Sequence, residues 1–175
     1  MGDRVMRVEQ PRMLSAGMGE VVMGFNEDVL HVSSLGSCVA VCLYSNKKNI
    51  ALLGHVVLPE YKSRGQEPSL SKPVKYADIA IPYMVRILTN RYNVPLSDCR
   101  AKIVGGAQMF AVLLDVEDRL QIGMRNVAVI KKMLVDIGIE LVAEETGGTI
   151  GRTVRFHATT KQLTIRTKGD QLTTY

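Results

Sequence analysis

The sequence predicts an α+β fold, a single layered domain of mostly antiparallel β-sheets with two main helices packed on one side. Three observations predict it. Short apolar segments with strand character, separated by polar turns, fill residues 19–58, 100–110 and 139–167. Only two stretches, near 76–88 and 127–137, carry the 3.6-residue apolar period of an amphipathic helix. The resulting order of strands, helix, strand, helix, strands lacks the regular alternation of a βαβ series.

Taken in order, a polar leader over residues 1–13, expected to be flexible, precedes the domain at 14–175. "GEVVMGF" (19–25) reads as a short strand, and "EDVLHVSSLGSCVAVCLY" (27–44) as extended chain broken by a turn at Leu35, Gly36 and Ser37. The polar "SNKKN" (45–49) turns the chain back into "IALLGHVVLP" (50–59), which Pro59 ends. Segments 38–44 and 50–58 therefore form an antiparallel hairpin. Residues 60–75 hold two prolines, three serines and four cationic residues without an apolar period. A loop of that length usually serves as a lid or binding surface.

From Tyr76 the pattern changes. Tyr76, Ile79, Ala80, Tyr83, Met84, Ile87 and Leu88 form a helical stripe, and Pro82, off that stripe, should kink the helix or delay its start. Residues 100–110 read as a strand opening into a turn at Gly105 and Gly106. Asn126 is placed to cap a second helix that Gly138 ends. "IELVAEE" (139–145) is extended, 146–152 is a loop, and 153–167 alternates on either side of Thr160 and Lys161 as a hairpin does.

Composition narrows the function. The 175 residues are 46% hydrophobic and 22% charged, ordinary values for a globular domain. No apolar run reaches the roughly 20 residues of a membrane helix, and the first residues carry no signal-peptide segment, so a cytoplasmic location is expected. Three cysteines, an odd number, argue for reduced thiols over a disulfide scaffold. The net charge of +5 comes from scattered Lys and Arg, and there is no Trp. Nucleic-acid binding is therefore not expected, nor is membrane insertion.

Cys38 and Cys42 share a strand face but stand about 13 Å apart at roughly 3.3 Å per residue, too far to pair or to share a ligand. His31, His55 and His157 show no metal-ligand spacing with them, so no metal site is expected. "GGTIGR" and "VGGAQMF" match neither phosphate-binding glycine pattern. Cys42, deep in its strand, reads as core, and Cys99 as structural. Cys38 follows Gly36 and Ser37, where backbone N–H groups of a turn are free to hold an oxyanion. The residues alone leave it either a packing cysteine or a nucleophile. A nucleophilic thiol needs a base. The hairpin brings His55 to the strand end near Cys38, with Gly54 leaving room beside the ring, although a core histidine fits the same pattern. His157 reads as solvent-facing. His31 precedes the turn without being singled out.

"LGSCVAVCLY", "GHVVLP", "KYADIA", "KIVGGAQMF", "IGMRNV" and "EETGGTIGR", in this order over most of residues 19–167, resemble the CheD family of chemoreceptor glutamine deamidases. The resemblance implies an enzyme that converts glutamine side chains of chemotaxis receptors to glutamate with release of ammonia. It implies no cofactor, and a CheC-type phosphatase as a further partner. It places the nucleophile on Cys38 and the general base on His55. Gly36 and Ser37, with Gly105 and Gly106, become the expected oxyanion- and substrate-binding positions. The family usually has a threonine six positions before the cysteine as third member, and here that residue is Val32. A main-chain carbonyl from Val32 would serve to orient the imidazole, with Ser33 as the alternative. The departure at Val32 also leaves a second expectation, a non-catalytic module that docks on receptors or on the phosphatase.

Overall fold

The computed structural model describes residues 10–62, 68–108 and 122–175. Strands β1 (Met13–Ser15), β2 (Val21–Phe25), β3 (Val29–Leu35), β4 (Val39–Ser45) and β5 (Ile50–Val56) come first. Helix α1 (Ala77–Arg86) runs on into a π-helical turn at Ile87–Arg91, and β6 (Cys99–Gly105) follows. Helix α2 (Ile122–Ile137), β7 (Glu140–Thr146), β8 (Arg152–His157), β9 (Leu163–Thr167) and β10 (Leu172–Thr174) complete the order. The strands form two five-stranded sheets, β1-β3-β8-β9-β10 and β2-β5-β4-β6-β7, here called outer and central. Among the strands of the described residues, only β1 with β3 and β6 with β7 pair in parallel.

The central sheet lies between the helices and the outer sheet, which explains its sequence. On β4, Val39, Val41 and Leu43 pack with Ile81, Met84, Ile130 and Leu134 of the helices. Ala40 and Cys42, on the other face, pack with Leu30, Val32, Phe156 and Ile165 of the outer sheet. All seven residues of β4 and all seven of β5 are buried, so these strands read as continuous apolar runs. The expected α+β layering, with both helices on one side, is what the fold shows. The hairpin of β4 and β5 pairs Val39 with Val56 and Tyr44 with Ala51.

Four sequence expectations need adjustment. Residues 1–9 of the leader lie outside the described residues, but Arg12 pairs with Asp28 and Met13 opens β1. Pro82 does not delay α1, which starts at Ala77 and passes through it. Asn126 is not a cap: α2 starts four residues earlier, and the Asn126 side chain is fully buried, donating to other segments. Gly54 leaves room for Met84 and not for the imidazole, since a Cβ there would lie 2.7 Å from the Met84 sulfur on the helix-facing side. Gly138 ends α2 as expected, at φ +82°, with the N–H of Ile139 donating to the Leu134 carbonyl. Of the 60–75 loop, residues 63–67 lie outside the described residues, as do Met109 and Phe110 beyond β6.

Candidate active site

The chain passes from one sheet to the other in three residues. Leu35 is the last outer-sheet residue, paired with Arg152, and Val39 is the first of the central sheet, paired with Gly105 and Val56. Register shifts between Val32 and Leu35, and Ser34 takes φ +58°, an irregularity in β3 just before the crossing. Gly36, Ser37 and Cys38 make the crossing. Their carbonyls are all held: Ala107 N–H donates to Gly36 at 2.8 Å, Asn126 Nδ2 to Ser37 at 3.0 Å, and Gly106 N–H to Cys38 at 2.8 Å. Among the described residues, no other residue accepts a hydrogen bond from the N–H groups of these three. A turn with its carbonyls tied and its N–H groups free is built to receive negative charge.

Alternation places the thiol and the imidazole on one face. His55 pairs with Ala40, so Cys38, two residues before Ala40, lies diagonally across from it on the face between the sheets. Cys38 packs against that layer and is half-buried, whereas His55 is 5% exposed. Burial pushes the Cys38 thiol above its ordinary value, opposed by the residue's own N–H beside the sulfur. Burial also lowers the imidazole of His55, opposed by the Ala16 carbonyl and by the Glu20 carboxylate. Both shifts favour the neutral thiol and imidazole over an ion pair.

The imidazole is oriented by Ala16. Its Nδ1 lies 3.3 Å from the Ala16 carbonyl, which leaves Nε2 as the nitrogen free to exchange a proton. The backbone of His55 is held by the same segment, its carbonyl by Gly19 N–H and its N–H by the Glu20 carbonyl, both at 2.9 Å. The expectation for Val32 is corrected by one strand. β1 runs parallel to β3 with Ser15 opposite His31, so Ala16 continues the register beside Val32. It is this edge segment that turns toward the ring. Val32 itself is a buried β3 residue paired with Val154, and Ser33 is exposed.

The remaining candidates separate cleanly. His31 lies on the other face of the outer sheet, its Nδ1 3.1 Å from the Ser15 hydroxyl and facing Arg155 and Arg166. Gly105 and Gly106 back the 36–38 turn and do not present free donors to it. Gly105 adopts φ +122°, and a Cβ there would come within 2.3 Å of the Cys38 carbonyl oxygen. Gly105→Ala is expected to lower stability by about 2–4 kcal/mol through backbone strain and that collision, read from denaturant unfolding. Cys42 is completely buried and its thiol is pushed far up, while Cys99 is pushed up to about 11. Under native conditions iodoacetamide should label Cys38 alone, faster as pH rises toward its raised pKa, and all three cysteines after denaturation. Labelling of Cys42 at a comparable rate would contradict this geometry. Among the described residues no group of three or more His, Cys, Asp or Glu is placed to hold a metal, and no helix is long and apolar enough to cross a membrane.

Residues 57–167 match the family model described as CheD chemotactic sensory transduction. The chain belongs to the CheD family. CheD proteins also align with it beyond that stretch. It is 41% identical over 138 residues to the probable chemoreceptor glutamine deamidase CheD of Oceanobacillus iheyensis, covering 79% of this chain and 81% of that one. The corresponding protein of Desulforamulus reducens is 38% identical over 159 residues, covering 91% and 93%. The chemoreceptor glutamine deamidase CheD of Thermotoga maritima is 39% identical over 153 residues, covering 87% and 90%. The 159-residue alignment leaves too few residues outside it to miss Cys38 or His55. Ala16 went unseen in the sequence, because a main-chain carbonyl has no side-chain signature. Asn126 was visible inside the CheD-like "IGMRNV" but looked like a cap.

Proposed function

We propose that this protein deamidates glutamine side chains of chemotaxis receptors to glutamate, through a thioester on Cys38. The observation that carries the reading is the shared face of Cys38 and His55 at the sheet crossing, with the imidazole oriented by Ala16. The names of the CheD relatives supply the substrate class.

Both groups begin neutral, so proton transfer accompanies attack. Nε2 of His55 takes the thiol proton as sulfur bonds to the carboxamide carbon. The oxygen of the tetrahedral intermediate carries the negative charge and is received by the free N–H groups of the 36–38 turn. When the intermediate collapses, the C–N bond breaks and His55 returns its proton to the departing nitrogen, releasing ammonia. Water then attacks the thioester carbon while giving a proton to His55. The C–S bond breaks, and the proton on His55 restores the thiol. No step draws on a cofactor.

The Ala16 carbonyl does the work expected of Val32, which supports catalysis over a purely docking role for this surface. A cytoplasmic location is proposed together with the receptor substrate. A CheC-type phosphatase is the second proposed partner, on the strength of that resemblance. The test is incubation with a purified cytoplasmic receptor fragment carrying glutamine, following ammonia and peptide mass. Site-specific Gln-to-Glu conversion is expected, and its absence with a folded fragment would overturn the proposal.

A further inference from the structure

Among the described residues, Asn126 is the one buried polar residue beside Cys38 that the proposed chemistry does not use. It lies inside α2, completely buried, and its Oδ1 has no partner among the described residues. Its Nδ2 donates to the carbonyls of Ser37 and Val57, each at 3.0 Å. An unpartnered buried amide oxygen costs stability that an apolar side chain of similar volume would not. The worth of Asn126 therefore lies in its two donors. These reach the residue just before Cys38 and the residue two after His55.

Peptide planarity determines what the first of those bonds does. The Ser37–Cys38 unit is trans, so its carbonyl and N–H point in opposite directions. Holding the Ser37 carbonyl against α2 turns the Cys38 N–H away from α2. In a regular antiparallel pair that N–H would donate to the Gly106 carbonyl, because Gly106 N–H already donates to the Cys38 carbonyl. That return bond is missing. Gly106 takes φ +68° and its carbonyl oxygen lies against Gly123, so close that a Cβ on Gly123 would stand 2.5 Å from it. Gly123 and Asn126 are one turn apart on the same face of α2. The first accommodates the carbonyl that has turned away, and the second fixes the peptide whose N–H is thereby released. Consistent with this orientation, the Cys38 N–H sits beside its own sulfur.

We propose that Gly123 and Asn126 of α2 are positioning residues that keep the Cys38 N–H out of the sheet ladder and aimed at the oxyanion, a role that rests on the deamidase reading above. Alkylation of Cys38 by iodoacetamide needs the thiol but develops no oxyanion, which separates this role from a structural one. With a glutamine-bearing receptor fragment, Asn126→Leu is expected to lower kcat about 10²-fold, with KM within about threefold. Its Cys38 alkylation rate should stay within about twofold of wild type. Unchanged kcat, or alkylation falling in step with kcat, overturns the proposal. If the wild type itself releases no ammonia, the deamidase reading fails first and takes this one with it.

Should Asn126→Leu not fold, Asn126→Asp carries the test at nearly constant volume. A carboxylate cannot donate to the Ser37 carbonyl, whereas a protonated carboxyl can, and burial raises its pKa. The ratio of its kcat to that of wild type should rise as pH falls from about 8 to about 6. A ratio independent of pH overturns the proposal.

Discussion

Cys38→Ala is expected to reduce Gln-to-Glu conversion by about 10⁴-fold or more, to near the uncatalysed level, because no other group can form the thioester. Cys42 cannot substitute. It is completely buried inside β4, four residues further along the chain, and its thiol is held neutral by burial. Only a half-buried sulfur is removed from the layer between the sheets, so the thermal midpoint should change little. The variant should still bind the receptor fragment, which makes fragment binding the control that separates lost chemistry from lost structure. Appreciable conversion by Cys38→Ala would eliminate the covalent mechanism.

His55→Ala is the second large effect, an expected loss of about 10²–10⁴-fold in kcat. Its pH profile is the sharper readout. In the wild type, catalysis needs neutral imidazole, and burial lowers the His55 pKa below the ordinary histidine value. Activity should rise with pH and level off at a midpoint below about 6.5. The variant loses that limb. Its residual activity should instead climb with pH toward the raised pKa of Cys38, as thiolate forms without a base. The same shift has a stability consequence. A folded-state pKa below the unfolded one means that the unfolded chain binds the extra proton first. The stability linked to His55 is thus present above the unfolded pKa and is lost as pH falls through the folded one. A variant that keeps the wild-type acid limb would show that another group is the base.

Much of this architecture is legible in the sequence. The hairpin of β4 and β5 follows from two apolar runs flanking "SNKKN", and the helices follow from their 3.6-residue stripes. The shared face of Cys38 and His55 follows from that hairpin, since register and alternation fix which side chains share a face. Other features carried signals that pointed elsewhere. Asn126 has the residue type of a cap, but its amide is spent on Ser37 and Val57 across the fold. Gly54 sits next to His55 in sequence, yet alternation sends its space to the opposite face, where Met84 fills it.

The amino-acid sequence by itself determined the layered α+β class, the thiol and the imidazole, because side-chain chemistry and hydrophobic period are properties of single residues and their neighbours. Only the tertiary structure decided what surrounds them. The carbonyl at His55 belongs to Ala16 and not to Val32 because β1 lies beside β3 and ends facing the ring. Asn126 of α2 holds the Ser37 carbonyl, and Gly123 of α2 lies against the Gly106 carbonyl, contacts made across the fold around the Cys38 peptide. Main-chain donors and acceptors are the same at nearly every position, so no sequence pattern marks which of them the fold will turn toward the site.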